Sequence, residues 1–459
     1  MADDSALAKT EGAPGTLRRA LGPLGATAMV VGTVIGSGIF LVPHDVAQRV
    51  GSVRSLHLVW IVGGALSLAG ALSLAELGAT MPEAGGIYVY LREAYGKLFA
   101  FLHGWAMLAV VETGGIATLA VAFGIYSAAF FPFAPLQQKV ITCGVIALLT
   151  AVNIAGVRKG AAVQVVFMFA KLLGLGVIIV LAVFSRGLVA APGSHSLPTL
   201  VTTLGSFGVA LVGVLWAYHG WHHLSYAAGE VRDPARVLPR SFLLGTVVVV
   251  IVYLSANFAY LRVLSLEALA DHQRVAAQAM ELLAGPRGAL LVSAMILCSI
   301  FGALNGNILG GARVLFALAR DGSFFSAVGR VHPRFETPAS ALLVQGVWAM
   351  MLAASGTYAQ LYTYVIFTAW IFYAAAAVAV VVLRRSKPNL DRPYRAWGYP
   401  LLPIAFTLVA SAIVVNTLIQ SPRESFFGLG LVLAGIPIYL AWRRLPQHAP
   451  GQAPSATDA

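Results

Sequence analysis

A short glycine-rich sequence near the start of the chain is the first feature that could do chemistry. Gly36-Ser37-Gly38, with Pro43 after it, lies inside a long apolar stretch in which a helix can unwind. Unwound backbone exposes N–H groups that bind a carboxylate and C=O groups that bind an ammonium. Those are the two charges of a zwitterionic amino acid. The alternative is that the glycines only allow close packing against a neighbouring helix.

An aromatic-rich run in the middle of the chain could unwind in the same way. It reads Trp216-Ala217-Tyr218-His219-Gly220-Trp221 and lies deep inside its own apolar stretch. The backbone carbonyls of Trp216, Ala217 and His219 could bind the ammonium. The aromatic side chains would then line a pocket or form a gate, or else they sit at the membrane interface.

Three charged residues also lie inside apolar stretches. Lys171 is too deep for its side chain to reach the surface, so it needs a partner or must be neutral. Backbone carbonyls would be a structural partner; replacing a coupling cation or taking up a proton would be a functional role. Glu112 could face Lys171 or a water-filled path, whereas Arg313 is predicted to be an interfacial anchor.

Other kinds of site find no support in the sequence. It contains neither a phosphate-binding loop nor a zinc-hydrolase motif, and Cys143 and Cys298 lie in apolar runs without a CxxC pattern. His222 and His223 lie close to His219, but neighbouring histidines point to different sides of a helix, so we expect no metal site and no cofactor. An enzyme is not expected, for want of a nucleophile and base.

Composition places these residues in a membrane. Of the 459 residues, 59% are hydrophobic and 10% are charged, against about 45–50% and about 25% in soluble proteins. The net charge of +12 is spread over short loops, which favours a lipid bilayer over nucleic acid as the partner.

Hydropathy predicts an all-α membrane protein with about twelve transmembrane helices, each of about 20 residues. The predicted segments are Gly22–Val50, Leu56–Ala79, Leu98–Phe131, Val140–Val157, Ala162–Phe184, Leu200–Val231, Phe242–Tyr260, Gly288–Ala319, Ala339–Ala354, Leu361–Leu383, Leu401–Ile419 and Phe426–Trp442.

The breaks fall in the first and sixth segments, five apart, which indicates an inverted repeat with a site at the midplane. We therefore divide the chain into two repeats, two further helices and a tail at each end. These units are the tail 1–21, the first repeat 22–184, the inverted second repeat 200–383, helices eleven and twelve at 399–445, and the tail 446–459. Basic residues concentrate on one side, as in the loop 384–395, so both termini are predicted to be cytoplasmic.

Several spaced motifs resemble amino acid permeases of the amino acid–polyamine–organocation superfamily, and in particular the L-amino acid transporter branch. They are the motifs 36–40 (GSGIF), 82–88 (PEAGGIY), 216–221 (WAYHGW), 230–234 (EVRDP) with Leu238-Pro239, and 319–322 (ARDG), with His332-Pro333 and Thr337-Pro338 after them. The resemblance implies a LeuT-type five-plus-five inverted repeat and alternating access without ATP.

The resemblance also implies roles for individual residues. Ser37, Gly38 and Ile39 would offer N–H groups to the substrate carboxylate. The carbonyls that would bind the ammonium belong to Val34, Ile35, Trp216, Ala217 and His219, with Gly36, Tyr218 and Gly220 completing the site. Trp216 would be the outer gate. Lys171 matches a fifth-helix lysine that takes the place of a sodium ion and links the broken first helix to the fifth.

Two departures from the family narrow the prediction. His219 stands where large-substrate members tend to have glycine, which favours smaller neutral substrates or a pH-dependent site. The loop 132–139 has no cysteine, so a disulfide-linked heavy chain is not expected.

We therefore predict a sodium-independent exchanger or facilitator of neutral L-amino acids in a bacterial inner membrane. Proton-coupled uptake through Lys171 or Glu112 is one alternative. An amino acid sensor or a channel is the other.

Overall fold

A computed structural model of the chain describes residues 19, 21–83, 85–155, 160–185, 203–320, 322, 324–335 and 337–444. Both predicted tails lie almost wholly outside these residues, as do parts of the 82–88 and 319–322 motifs. In the described part, the regular elements are helices, and one isolated bridge joins Leu21 to Val231.

The helices follow one another with short connections. They are α1 Pro23–Val34, α2 Gly38–Ala47, α3 Val53–Thr80, α4 Ile87–Tyr95, α5 Lys97–Ala106, α6 Glu112–Ser127, α7 Pro135–Ile154, α8 Gly160–Phe184, α9 Leu204–Ala217, α10 His223–Tyr226, α11 Pro234–Val263, α12 Leu266–Asp271, α13 Val275–Arg320, α14 Ala339–Ser355, α15 Tyr358–Ser386, α16 Leu401–Gln420 and α17 Pro422–Arg444.

The length and apolarity of these helices confirm the all-α membrane fold. Among the described residues, eight helices are long and apolar enough to cross a membrane, and the α1–α2 pair makes up to nine. The helices α9 and α14 are shorter and apolar, as is the Lys171–Phe184 part of α8. The predicted number of about twelve spans stays a prediction.

Large apolar side chains on the outside of these helices stay exposed in the part of the chain that the structure describes. Leu58 in α3, Ile251 in α11 and Leu408 in α16 each leave half or more of their surface exposed. In water such a surface would be costly, whereas lipid tails solvate it. The exposed apolar faces therefore agree with a bilayer around the bundle.

Some details of the helices differ from the sequence prediction. The third predicted segment is interrupted by a π-helical turn at Met107–Val111, directly before Glu112. The eighth begins earlier than predicted, at Val275, and α13 kinks at Gly285, whose φ is 71° and which precedes Pro286. Hydropathy measures only the length of an apolar run, so it misses both features.

The two halves of the first span have different main packing partners. The helix α1 contacts α8 and α11, whereas α2 contacts α9 and α12. The two are bent by 40°. The bend leaves residues 35–37 in the middle of the bundle.

Candidate functional site at two facing helix breaks

The first break lies where the glycine-rich sequence predicts it. α1 ends at Val34 and α2 begins at Gly38, with the N–H of Gly36 donating to the carbonyl of Val34 at 2.8 Å. The first N–H groups of α2 have no partner within their own helix and carry the positive end of its dipole. Gly32 lies inside α1 and is not part of the break.

The second break separates α9 from the short helix α10. α9 ends at Ala217 and α10 begins at His223. Between them, Gly220 has a φ of 121°, a backbone conformation that residues with a side chain rarely adopt. The glycine of the aromatic-rich run is therefore what turns the chain here.

The two breaks face each other at close range. The hydroxyl oxygen of Thr33 lies 3.1 Å from the carbonyl oxygen of Gly220 and 2.7 Å from that of Met29 in its own helix. A Cβ on Gly38 would overlap the backbone of Ala217, and one on Gly220 would lie 3.0 Å from the carbonyl carbon of Thr33. The predicted glycines thus unwind the helices and also let the two backbones approach.

Tyr253 of α11 holds the breaks together, and the sequence analysis missed it. Its hydroxyl oxygen lies 3.0 Å from the carbonyl oxygen of Val34 and 3.0 Å from that of Ala217. The side chain is fully buried. A tyrosine that deep in an apolar helix needs a hydrogen-bond partner for its hydroxyl. That requirement was the only feature of the sequence that could have drawn attention to Tyr253.

Lys171 is paired with backbone rather than with Glu112. Its ammonium donates to the carbonyl of Gly32 at 3.0 Å and to that of Ile35 at 2.8 Å. These bonds join α8 to the end of α1, as the resemblance implies. The alternative in which Glu112 faces Lys171 is wrong, because Glu112 contacts a histidine of the other break.

Glu112 lies against α10. Its Oε1 is 3.3 Å from Nε2 of His223, and both side chains are buried. The carboxylate follows the π-helical turn of the preceding span, and such turns are frequent at functional sites. Glu112 therefore belongs to the region of the two breaks by position.

Aromatic side chains cover the breaks on the side of the bundle where α2 ends, which we call the far side. The indole N–H of Trp216 donates to the hydroxyl of Tyr358 at 2.9 Å, and that hydroxyl also bonds Ser37 Oγ at 3.1 Å. The ring of Trp216 lies roughly parallel to those of His219 and Tyr362, at centroid distances of 5.8 and 6.5 Å. Trp216 thus occupies the position of a lid.

Contacts on the opposite side, where α1 begins, close the other end. Leu21 exchanges backbone hydrogen bonds with Glu230 and Arg232, at 2.9 and 2.8 Å. Arg313, predicted to be an interfacial anchor, lies here, 3.2 Å from Glu230. The guanidinium of Arg313 is exposed, and it also pairs with the carboxylate of Glu230.

A cavity of about 20 Å³ remains between the breaks. It is lined by Thr33, Val34, Gly36, Ser37, Gly38, Leu119, Trp216, His219, Gly220, His223 and Asn307. Seven of these were predicted site residues; Thr33, Leu119, His223 and Asn307 were not predicted as substrate contacts. Such a volume holds about one water molecule. The site is therefore closed, and any larger ligand requires it to open.

Four predicted site residues do not line this cavity. Ile35, Ile39 and Ala217 contribute backbone close to it, while their side chains are buried. Tyr218 turns away, with its ring against Trp60 and its hydroxyl 3.4 Å from the carbonyl oxygen of Trp60. Tyr218 therefore supports the second break from behind.

Comparison with known proteins decides the family. The amino acid permease family matches residues 21–436. The chain belongs to this family. Its relatives are transporters, not enzymes, and the protein is accordingly a multi-pass membrane permease.

Three relatives are similar over almost the whole permease. The serine/threonine exchanger SteT of Bacillus subtilis (strain 168) is 33% identical, covering 93% of this chain and 98% of the relative. The b(0,+)-type amino acid transporter 1 of Rattus norvegicus is 32% identical, covering 95% and 90%. The large neutral amino acids transporter small subunit 2 of Homo sapiens is 31% identical, covering 97% and 85%.

Proposed function

We propose that this permease is a sodium-independent exchanger of small neutral L-amino acids. The observation that carries the proposal is the pair of facing helix breaks, which enclose a cavity closed from both sides. Backbone groups of both signs meet there. The names of the relatives, which describe amino acid transporters and one serine/threonine exchanger, support the same substrate class.

The substrate carboxylate would bind at the start of α2. There the N–H groups of Ser37, Gly38 and Ile39 lie at the N-terminus of α2, which is the positive end of its helix dipole. A zwitterion brings its own counter-charge, so no ionised side chain has to be buried to receive it.

The substrate ammonium would bind the carbonyls around the end of α1 and α9. The carbonyls of Val34 and Ile35 already accept bonds from Tyr253 and Lys171. A carbonyl oxygen has two lone pairs, so that of Ile35 can accept one further bond, whereas that of Val34 also accepts from the N–H of Gly36 and would give up one of its bonds to receive the ammonium. The carbonyls of Trp216, Ala217 and His219 would complete the set.

Lys171 would make the exchange independent of sodium. Its ammonium supplies a fixed positive charge at Gly32 and Ile35, where a coupling cation would otherwise be coordinated by the same kind of oxygen. A fixed charge carries no ion across the membrane. The substrate gradient alone would then drive transport.

His219 would limit the size of the substrate side chain. Its imidazole lines the cavity beside Trp216. Replacing it by glycine removes the ring and should shift the preference from alanine towards leucine. An unchanged ratio of leucine to alanine transport in His219→Gly would remove the steric argument.

Alternating access would move the two predicted repeats, 22–184 and 200–383, about the fixed site. Opening on the far side would break the contacts of Tyr358 with Trp216 and Ser37. Opening on the other side would separate Leu21 from Glu230. We place both termini in the cytoplasm of a bacterial cell and expect no disulfide-linked heavy chain, because the loop 132–139 lacks cysteine.

Counterflow in liposomes tests the proposal. The entry of labelled alanine into sodium-free vesicles is measured with and without internal unlabelled alanine, first at matched pH and then with an imposed inward proton gradient. Strong stimulation by internal alanine is the expected result. Entry that ignores internal alanine and follows an inward proton gradient would establish the symporter instead. Flux without saturation would indicate a channel, and binding without flux would indicate a sensor.

A further inference from the structure

Three histidines meet beside the cavity. His219, His222 and His223 place one ring nitrogen each so that these atoms all lie within 4.8 Å of one another. We propose that this cluster binds a divalent transition metal ion of the zinc class, a site distinct in chemistry from the amino acid site. Imidazole is the preferred ligand type for such ions.

The unwound backbone explains why the cluster forms. In a continuous helix, neighbouring histidines diverge, which is why the sequence analysis expected no metal site. The chain turns at Gly220, so His219 lies before the turn while His222 and His223 begin the next helix. The centroid of the His219 ring lies 4.7 Å from that of the His222 ring and 6.3 Å from that of the His223 ring.

Polar atoms of this cluster lack the hydrogen bonds that burial normally requires. Among the described residues, His219 Nδ1 and Glu112 Oε2 are buried without a hydrogen-bond partner, while Glu112 Oε1 and His223 Nε2 lie 3.3 Å from each other. Leaving such an atom unsatisfied costs about 1–3 kcal/mol, and more for a charged group. A metal ion would satisfy the ring nitrogen of His219 and counterbalance the charge of the carboxylate.

Two further side chains are placed to orient the ligands. Glu112 Oε1 lies 3.3 Å from His223 Nε2, which leaves the other ring nitrogen of His223 for a metal. The hydroxyl of Tyr373 lies 2.9 Å from Nδ1 and 3.1 Å from Nε2 of His222, and it can bond only one of them at a time. Metal-ligating histidines commonly give their second nitrogen to a carboxylate or a similar acceptor.

Only small side-chain rotations separate the observed cluster from a metal site. Tetrahedral zinc with nitrogen ligands at about 2.0–2.1 Å holds those nitrogens about 3.4 Å apart. In the structure, these nitrogens lie within 4.8 Å of one another. Rotation of the imidazoles about their own side-chain bonds can close the remaining difference. The fourth position would face the cavity, where water or a ligand can enter.

Metal binding would also affect transport. His219 and His223 line the cavity between the breaks, so a bound ion would obstruct it. Micromolar zinc should therefore inhibit exchange. This consequence rests on the proposed function, whereas metal binding itself does not.

Cobalt spectroscopy tests the site directly. The full-length, untagged chain carries Cys143→Ser and Cys298→Ser, which removes both thiols. Titration with Co²⁺ should give the strong visible absorption of a tetrahedral nitrogen site, saturating at one ion per chain and displaced by Zn²⁺. His57→Asn, a change at the start of α3 away from the cluster, should leave the spectrum unchanged.

Variants of the cluster separate a site from chance binding. His219→Ala should abolish the saturable absorption, and Glu112→Gln should weaken cobalt binding about 10–100-fold. If either variant fails to fold, the cobalt spectrum and the number of ions bound per chain, both measured on the chain with an intact histidine cluster, still decide whether the site exists. Octahedral or non-saturating binding, or a spectrum that survives His219→Ala, would overturn the proposal whether or not the protein exchanges amino acids.

Discussion

At the scale of single residues, the breaks are held in place by side chains that bond exposed backbone carbonyls. Tyr253 contacts one carbonyl from each break, and Lys171 contacts that of Ile35 in the first break and that of Gly32 near the end of α1. The sequence points to Lys171 because a lysine deep in an apolar run is unusual. It does not point to Tyr253, since tyrosine is common in such runs and its partners come from distant segments.

Removing the hydroxyl of Tyr253 should loosen the contact between the breaks. Tyr253→Phe loses the single O–H that the two carbonyls share, and a hydrogen bond contributes about 1 kcal/mol net. We expect a lower thermal unfolding temperature in detergent and slower alanine exchange. Tyr260→Phe is the matched control on the same helix, because the hydroxyl of Tyr260 is buried without a partner among the described residues. Equal losses in the two variants would contradict the bridging role.

Replacing Lys171 should affect transport more than any exposed lysine does. Lys171→Met removes two hydrogen bonds from a charged donor, each of about 1.5–3 kcal/mol. We expect alanine counterflow to fall at least tenfold. Lys139→Met, at an exposed position near the start of α7, should keep wild-type counterflow. Wild-type exchange in Lys171→Met would remove the lysine from the mechanism.

At the scale of elements, glycines both break the helices and allow them to touch. The sequence predicts where the first break lies because glycine and serine follow one another in an apolar run. It also predicts the second, through Gly220. It cannot predict that Gly38 would rest on Ala217, since that contact joins segments far apart in the chain.

A methyl group at Gly38 should separate the two breaks. Gly38→Ala introduces a Cβ into the backbone of Ala217, and overpacking of this kind costs about 1–3 kcal/mol. We expect reduced thermal stability and loss of alanine counterflow. Gly176→Ala in α8 has no atom within 4 Å of the new Cβ, so it should be neutral or slightly stabilising. A stable, fully active Gly38→Ala would show that the breaks need not touch.

At the scale of the whole molecule, a buried carboxylate ties distant helices together. Glu76 of α3 accepts from Arg384 of α15 at 2.8 and 2.7 Å and from the N–H of Ala396 at 2.6 Å. Only 2% of its side chain is exposed. This network joins the two predicted repeats on the side of the bundle where α1 begins.

Neutralising Glu76 should destabilise the bundle as a whole. Glu76→Gln removes the charge that the partly exposed Arg384 pairs with, and hydrogen bonds to charged groups contribute about 1.5–3 kcal/mol each. The expected result is a clear fall in the unfolding temperature in detergent. Glu83→Gln, whose exposed carboxylate lies 3.6 Å from Arg92, should cost less than about 1 kcal/mol. Similar effects of the two changes would argue against the network.

The central claim is that the substrate binds between the two facing breaks, and protection from alkylation tests it most directly. In a chain with both native cysteines replaced by serine, Ser37→Cys and Thr33→Cys each place one thiol at the cavity. A membrane-permeant maleimide should label both, and alanine should slow both reactions several-fold while leaving a Ser127→Cys control unchanged. Labelling rates at positions 33 and 37 that saturating alanine does not change, in a protein that exchanges alanine, would contradict the account.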